Sequence, residues 1–162
     1  MSRALHVFHP VDAPPNGLAL AFDSDPGGWL PAVRRLGPSA WRVELRFRGL
    51  SRPVRCEVGD AWIIGDTTWR TLRWVPLSDP NEGLPLERVL PTFSGELGLH
   101  HADTATLVLT GTYDVPLAAA GELADAALLN RVARHTGDSF LREVARRLVE
   151  VTRSLQGVPA TT

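Results

Sequence analysis

The chain has 162 residues, a formal net charge of −1 and a single cysteine. That length suits one domain, 1–162, able to bury roughly 70% of its unfolded surface with no disulfide or metal to staple it. Near-neutral charge gives no field to hold nucleic acid, and no apolar run approaches the ~18 residues of a membrane span. A cysteine without a mate fits a reducing cytoplasm, and Met1 to Pro10 has neither the apolar core nor the cleavage site of a secretion signal.

Ala4 to His9 reads as a strand, with Leu5 and Val7 alternating and Pro10 stopping it. Asp12-Ala13-Pro14-Pro15 is a helix start, an acceptor side chain followed by prolines that need no backbone donor in a first turn. That helix runs to Phe22. Asp23 to Pro26 restarts a second short helix, carrying Trp29, Leu30 and Val33 to its end near Gly37-Pro38. From Trp41 the period becomes two: Trp41, Val43, Leu45 and Phe47 alternate with Arg42, Glu44, Arg46 and Arg48. Val54, Cys56 and Val58 form the next strand, and Gly59-Asp60 and Gly65-Asp66 bracket a short one, Ala61 to Ile64.

Thr67 to Val75 is a strand with large or charged residues on both faces. Ser78 to Pro91, rich in Pro, Gly and acid, reads as a long surface loop that would lie at an end of the sheet. Phe93 to His100 and Thr104 to Tyr113 alternate again, and Pro116 stops the pairing. The last stretch, Leu117 to Gln156, carries an apolar stripe at 100° per residue. Leu123, Ala126, Asn130, Ala133, Gly137, Phe140, Leu141, Val144, Leu148, Val151 and Leu155 fall on that face. Such a long apolar face needs a whole sheet to cover it. The order therefore predicts an α+β fold: a strand, two short helices, six consecutive strands forming an antiparallel sheet, and one long helix on its concave side.

Motifs of catalysis are sparse. His6 and His9 point to opposite faces of a strand, as do His100 and His101, so no metal site is expected. There is no Gly-x-Ser-x-Gly elbow and no glycine-rich phosphate loop, and no cofactor is expected. Cys56 sits in a strand pattern with no neighbouring base, which favours a buried, inert thiol.

The segments His9-Pro10-Val11-Asp12-Ala13-Pro14, Asp25-Pro26 and Trp29-Leu30-Pro31, with Leu72-Arg73-Trp74, Gly111-Thr112-Tyr113 and the helix residues Thr136 and Phe140-Leu141, carry a resemblance. The chain resembles the START/Bet v1-like helix-grip superfamily, which includes bacterial polyketide cyclase/dehydrase-type proteins. The resemblance covers almost the whole chain. It implies a seven-stranded antiparallel sheet curved around the long terminal helix, two short helices between strands 1 and 2, and an apolar cavity between sheet and helix.

On that reading the chain binds a small hydrophobic or amphipathic molecule, such as a lipid, a polyketide or an aromatic. Trp41, Leu45, Cys56, Trp74, Phe93, Leu109, Tyr113, Asn130, Gly137 and Phe140 are the expected lining, with Arg70 or Arg73 and Tyr113 orienting the ligand. A rim salt bridge to Glu87, Glu96 or Asp66 is the plainer role for either arginine. Close contact between sheet and helix is the plainer reason for Gly137. Two other functions stay open. A cyclase- or dehydratase-type enzyme would bring at least two titratable groups into the same cavity. A non-catalytic interaction domain would show a filled core and a large exposed apolar patch. The expected partner is the small molecule, with no nucleic acid and no membrane insertion, and a homodimer is left open.

Overall fold

The computed structural model describes residues 2–47, 49–77, 90–114 and 126–157. The chain begins with β1 (Ser2–Val11), then α1 (Pro15–Asp23) and a single 3-10 turn (Pro26–Gly28). Six strands follow: β2 (Ala32–Gly37), β3 (Ala40–Phe47), β4 (Leu50–Ile64), β5 (Thr67–Pro76), β6 (Thr92–His101) and β7 (Ala105–Asp114). The helix α2 (Ala126–Gln156) closes the described chain, at about 46 Å long. The sheet has seven strands in the order β1-β7-β6-β5-β4-β3-β2, all neighbours antiparallel. No described helix is long and apolar enough to cross a membrane.

The strand total expected from the sequence holds, but two elements are divided differently. Ala32–Gly37 is an edge strand and not the end of a second helix. Pro31 is the cause: it has no N–H to donate one turn back, so the helix that Asp25 caps stops after one 3-10 turn. In compensation, Val54–Val58 and Ala61–Ile64 belong to one fifteen-residue strand, β4. Gly59-Asp60 is a bulge and not a turn, because the register against β5 passes from Val58–Leu72 to Ala61–Arg70 with one residue extra on β4.

α2 packs against β1 and β7 on one flank, against β3 on the other, and against α1 and the 3-10 turn near its C-terminal end. The sheet therefore curls until strands far apart in its order reach the same helix. Ala133, Phe140, Leu141, Val144, Ala145 and Leu148 form the helix's buried face. The expected start of this helix at Leu117, and most of the loop expected over Ser78 to Pro91, lie outside the described residues.

Candidate functional site

Strand register, more than any motif, assembles the interior. Trp41 of β3, Cys56 of β4, Trp74 of β5, Phe93 of β6 and Tyr113 of β7 are successive cross-strand partners, forming one row across the sheet. All five are buried on the concave face. Trp74 stacks on Phe93 with 4.4 Å between ring centres, and Phe140 of α2 meets Trp74 from the helix side at 5.6 Å. The Trp74 indole N–H donates to the Pro91 carbonyl at 3.1 Å, which fixes the ring. Beside this row Gly95 and Gly111 are paired directly, and the Phe93 ring lies over both.

Three buried hydroxyls have no hydrogen-bond partner among the described residues: Tyr113 Oη in the aromatic row, Thr136 Oγ1 on the helix one turn before Phe140, and Thr152 Oγ1 farther along the helix, beside Gly17 of α1. The buried Trp29 indole N–H is unpaired among them as well. Tyr113 and Thr136 are each 1% exposed, so water does not serve them from outside. A buried polar group left unpaired costs about 1–3 kcal/mol, and it recovers that when a ligand atom or an ordered water reaches it.

Cys56 is a different case. Burial, with a smaller push from the Glu57 carboxylate, raises its thiol from the ordinary 9.0 to about 12, so no thiolate is available near neutrality. The neutral thiol therefore stabilises the fold fully below pH 9. That contribution is lost as pH rises from 9 toward 12, where the unfolded chain ionises and the folded one does not. Iodoacetamide at pH 9 is expected to leave the native thiol unmodified and to alkylate it on unfolding in guanidinium. Rapid native alkylation would contradict that.

Between sheet and helix a cleft opens beside β3. β2 pairs with β3 only as far as Val43, so β3 beyond it carries an uncovered edge facing α2. A cleft of about 370 Å³ lies there, walled by Pro31 to Val33, by Glu44 to Arg46 with Ser51, and by Ser139, Phe140, Arg142, Glu143 and Arg147 of the helix. Its volume is at the lower end of small-molecule sites. Leu45 and Phe140, both buried, give it an apolar floor, and Phe140 is the same ring that touches Trp74. A larger trough of about 570 Å³ runs over the outer face of the sheet, past Glu57, Thr71, Arg73, Ser94, Glu96 and Thr110. It is shallow and open to solvent, with Val58, Leu72 and three glycines among its lining beside the hydroxyl and charged side chains.

The expected lining thus divides. Trp41, Leu45, Cys56, Trp74, Phe93, Tyr113 and Phe140 are brought together on the concave side or at the cleft. Gly137 and Leu109 instead meet in direct contact: a Cβ on Gly137 would lie 3.1 Å from Val7 Cγ2, 3.4 Å from Leu5 Cδ2 and 3.5 Å from Leu109 Cδ2. The plainer reason for that glycine, close approach of helix and sheet, is the one that applies. Asn130 does not line the interior. It is exposed, because period fixes only the phase of a helix and not how far along its axis the sheet reaches. Among the helix residues whose burial is described, Ala133 is the first that is buried.

Both arginines are placed away from the cleft. Arg73 is exposed on the outer face, 3.8 Å from its cross-strand neighbour Glu57. Arg70 is buried, and its donors are occupied by main-chain carbonyls. Nε donates to Phe22 O at 3.2 Å, Nη1 to Gly59 O at 2.9 Å, and Nη2 to Asp23 O and Ser24 O at 3.0 and 3.3 Å. It caps the C-terminal end of α1 and ties it to the β4 bulge. Its guanidinium also lies 5.8 Å from the Phe22 ring centre and 5.9 Å from that of Trp29, which stack on each other at 5.1 Å. Trp29 is accordingly buried between α1 and β5. Sequence reasoning missed the cleft because it depends on where β2 stops. It also passed over the buried hydroxyl of Thr136, although that residue adjoins the apolar stripe.

Among solved structures the chain is similar to the Zhui aromatase/cyclase from Streptomyces sp. R1128, at 15% identity and a TM-score of 0.59, over 98% of this chain and 100% of that one. It is also similar to Ara h 8.0201, at 14% identity and a TM-score of 0.51, over 93% of this chain and 99% of that one. The chain has the helix-grip fold. No family profile matches it, and no curated protein does. The START/Bet v1-like resemblance therefore stands at the level of the fold, and the helix-grip arrangement accounts for the row of cross-strand aromatics facing α2.

Proposed function

We propose that this helix-grip chain binds a small hydrophobic or amphipathic molecule in the cleft between β3 and α2. The supporting observation is the cleft's floor. Leu45 and Phe140 form it, and Phe140 is also the outer member of the Phe140–Trp74–Phe93 group. A ligand lying on Phe140 is one ring away from the aromatic row, and a turn of Phe140 would bring it toward Trp74 and the unpartnered hydroxyls of Tyr113 and Thr136. Burial of apolar ligand surface at ~25 cal/mol per Å² would drive binding, and the hydroxyls would select for a polar atom at depth.

An enzymatic reading in the same space draws no support from the described interior. Its buried thiol is held protonated, and its buried guanidinium is spent on main-chain carbonyls. Ligand binding is tested with N-phenyl-1-naphthylamine, an uncharged aromatic whose fluorescence rises in apolar surroundings. Saturable binding of one probe per chain is expected. It should be abolished by Ser139→Trp, which fills the cleft from a half-buried helix position without touching the core. Binding that ignores Ser139→Trp, or that fails to saturate, would sink the cleft as the site.

A further inference from the structure

The cleft has charge as well as shape, and its charges are unequally matched. Its two carboxylates are both engaged. Glu44 accepts from Ser51 Oγ at 2.9 Å and lies 3.5 Å from Arg42 Nε. Glu143 is bonded by Arg146 Nη2 at 2.6 Å and by Arg147 Nε at 3.0 Å, and Arg146 also pairs with Glu150. These arginines hold the Glu143 carboxyl below its ordinary range, the Arg146 hydrogen bond being the largest cause, so it stays ionised and already compensated.

The guanidiniums of Arg46, on the sheet wall, and Arg142, on the helix wall, are in a different position. Neither has a carboxylate within ion-pair distance among the described residues. The charge of Arg142 is felt as far as β1, where it is the second cause, after burial, of a lowered His9 pKa, with Asp138 acting weakly the other way. Both unmatched cations are among the residues that line the cleft, at its exposed rim, above the floor of Leu45 and Phe140.

We infer that the ligand of this cleft is an amphipathic anion, a molecule with an apolar body and a carboxylate, sulfonate or phosphate head, its head held between Arg46 and Arg142 and its body on Leu45 and Phe140. This rests on the cleft being the binding site. Guanidinium suits such heads because its planar fork donates two hydrogen bonds to one oxyanion. Placing the head at the rim leaves it partly hydrated, so the anion does not bear the cost of full burial.

A matched pair of probes separates the two levels of the argument: 8-anilino-1-naphthalenesulfonate, and N-phenyl-1-naphthylamine, which is the same framework without the sulfonate. The sulfonate is expected to bind roughly tenfold more tightly, with the advantage shrinking as salt is raised. In the double variant Arg46→Ala/Arg142→Ala the sulfonate should lose about tenfold more affinity than the uncharged probe does, so that its advantage vanishes. Both arginines are exposed, so the fold is not at stake. Equal affinity for the two probes in the native chain, or a preference that survives the double variant, overturns the anion inference and leaves the cleft intact. Failure of both probes to saturate, or indifference of both to Ser139→Trp, overturns the cleft itself and the inference with it.

Discussion

Replacing Arg70 with methionine is expected to lower the unfolding free energy by about 3 kcal/mol, read from guanidinium titrations. The guanidinium donates to four backbone carbonyls, three at the end of α1 and one at the β4 bulge. Each hydrogen bond to a charged group contributes ~1.5–3 kcal/mol, so a simple sum would overshoot. Carbonyls nearer the surface, such as that of Ser24, can take up water when the donor goes, and the methionine keeps apolar contact with Phe22 and Trp29. For a chain of this size the thermal midpoint should fall by roughly 6–12 °C. Lysine should recover only part of the loss, since one ammonium cannot span carbonyls on two elements. A loss under 1 kcal/mol for Arg70→Met would mean that water already serves those carbonyls.

Alanine at Gly95 is the second large effect, at about 4 kcal/mol or outright failure to accumulate folded protein. Its Cβ would lie 2.2 Å from Thr110 O, 2.6 Å from Gly111 Cα and 2.9 Å from Phe93 Cζ. The first two are main-chain atoms of the neighbouring strand, so β6 and β7 would have to separate where the sheet turns beneath the aromatic row. Ordinary overpacking costs ~1–3 kcal/mol, and this case exceeds it because no side chain can swing aside. Gly137→Ala is the control. Its Cβ would approach the ends of flexible side chains, no nearer than Val7 Cγ2 at 3.1 Å, and the helix gains ~1 kcal/mol of propensity. That variant should stay within about 1 kcal/mol of the native chain. If the two alanines cost the same, the paired glycines are not what lets β6 and β7 approach so closely.

Which parts of this could be read from the sequence follows from how far each signal reaches. Alternation over Trp41 to Leu45 and the stripe over Ala133 to Leu148 are local consequences of strand and helix geometry, and they survive in the fold. Resemblance carried the rest of the architecture. The exchange between β2 and the bulged β4 came from reading Pro31 as helix-compatible and Gly59-Asp60 as a turn. Both depend on partners that the local sequence does not name. The role of Arg70 was out of reach for the same reason, because its acceptors are main-chain oxygens up to 48 residues away in sequence. Inward placement of Phe93 and Tyr113 was legible from alternation, and that of Trp74 came only with the resemblance; the alignment of all three into one row is a matter of register. The cleft beside Phe140 exists because one edge strand ends early, and no residue type announces that.

The five tryptophans offer the most direct test of ligand binding between sheet and helix, through their indole N–H signals in a ¹H–¹⁵N spectrum during titration with 8-anilino-1-naphthalenesulfonate. Trp74 lies behind Phe140 on the concave side, whereas Trp62 and Trp69 pair with each other on the outer face. The account predicts saturable shifts, at one probe per chain, in the Trp74 indole and in the amides of Leu45 and Phe140, with Trp62 and Trp69 unmoved. Shifts confined to Trp62 and Trp69, or no saturable shift at Trp74, would contradict it.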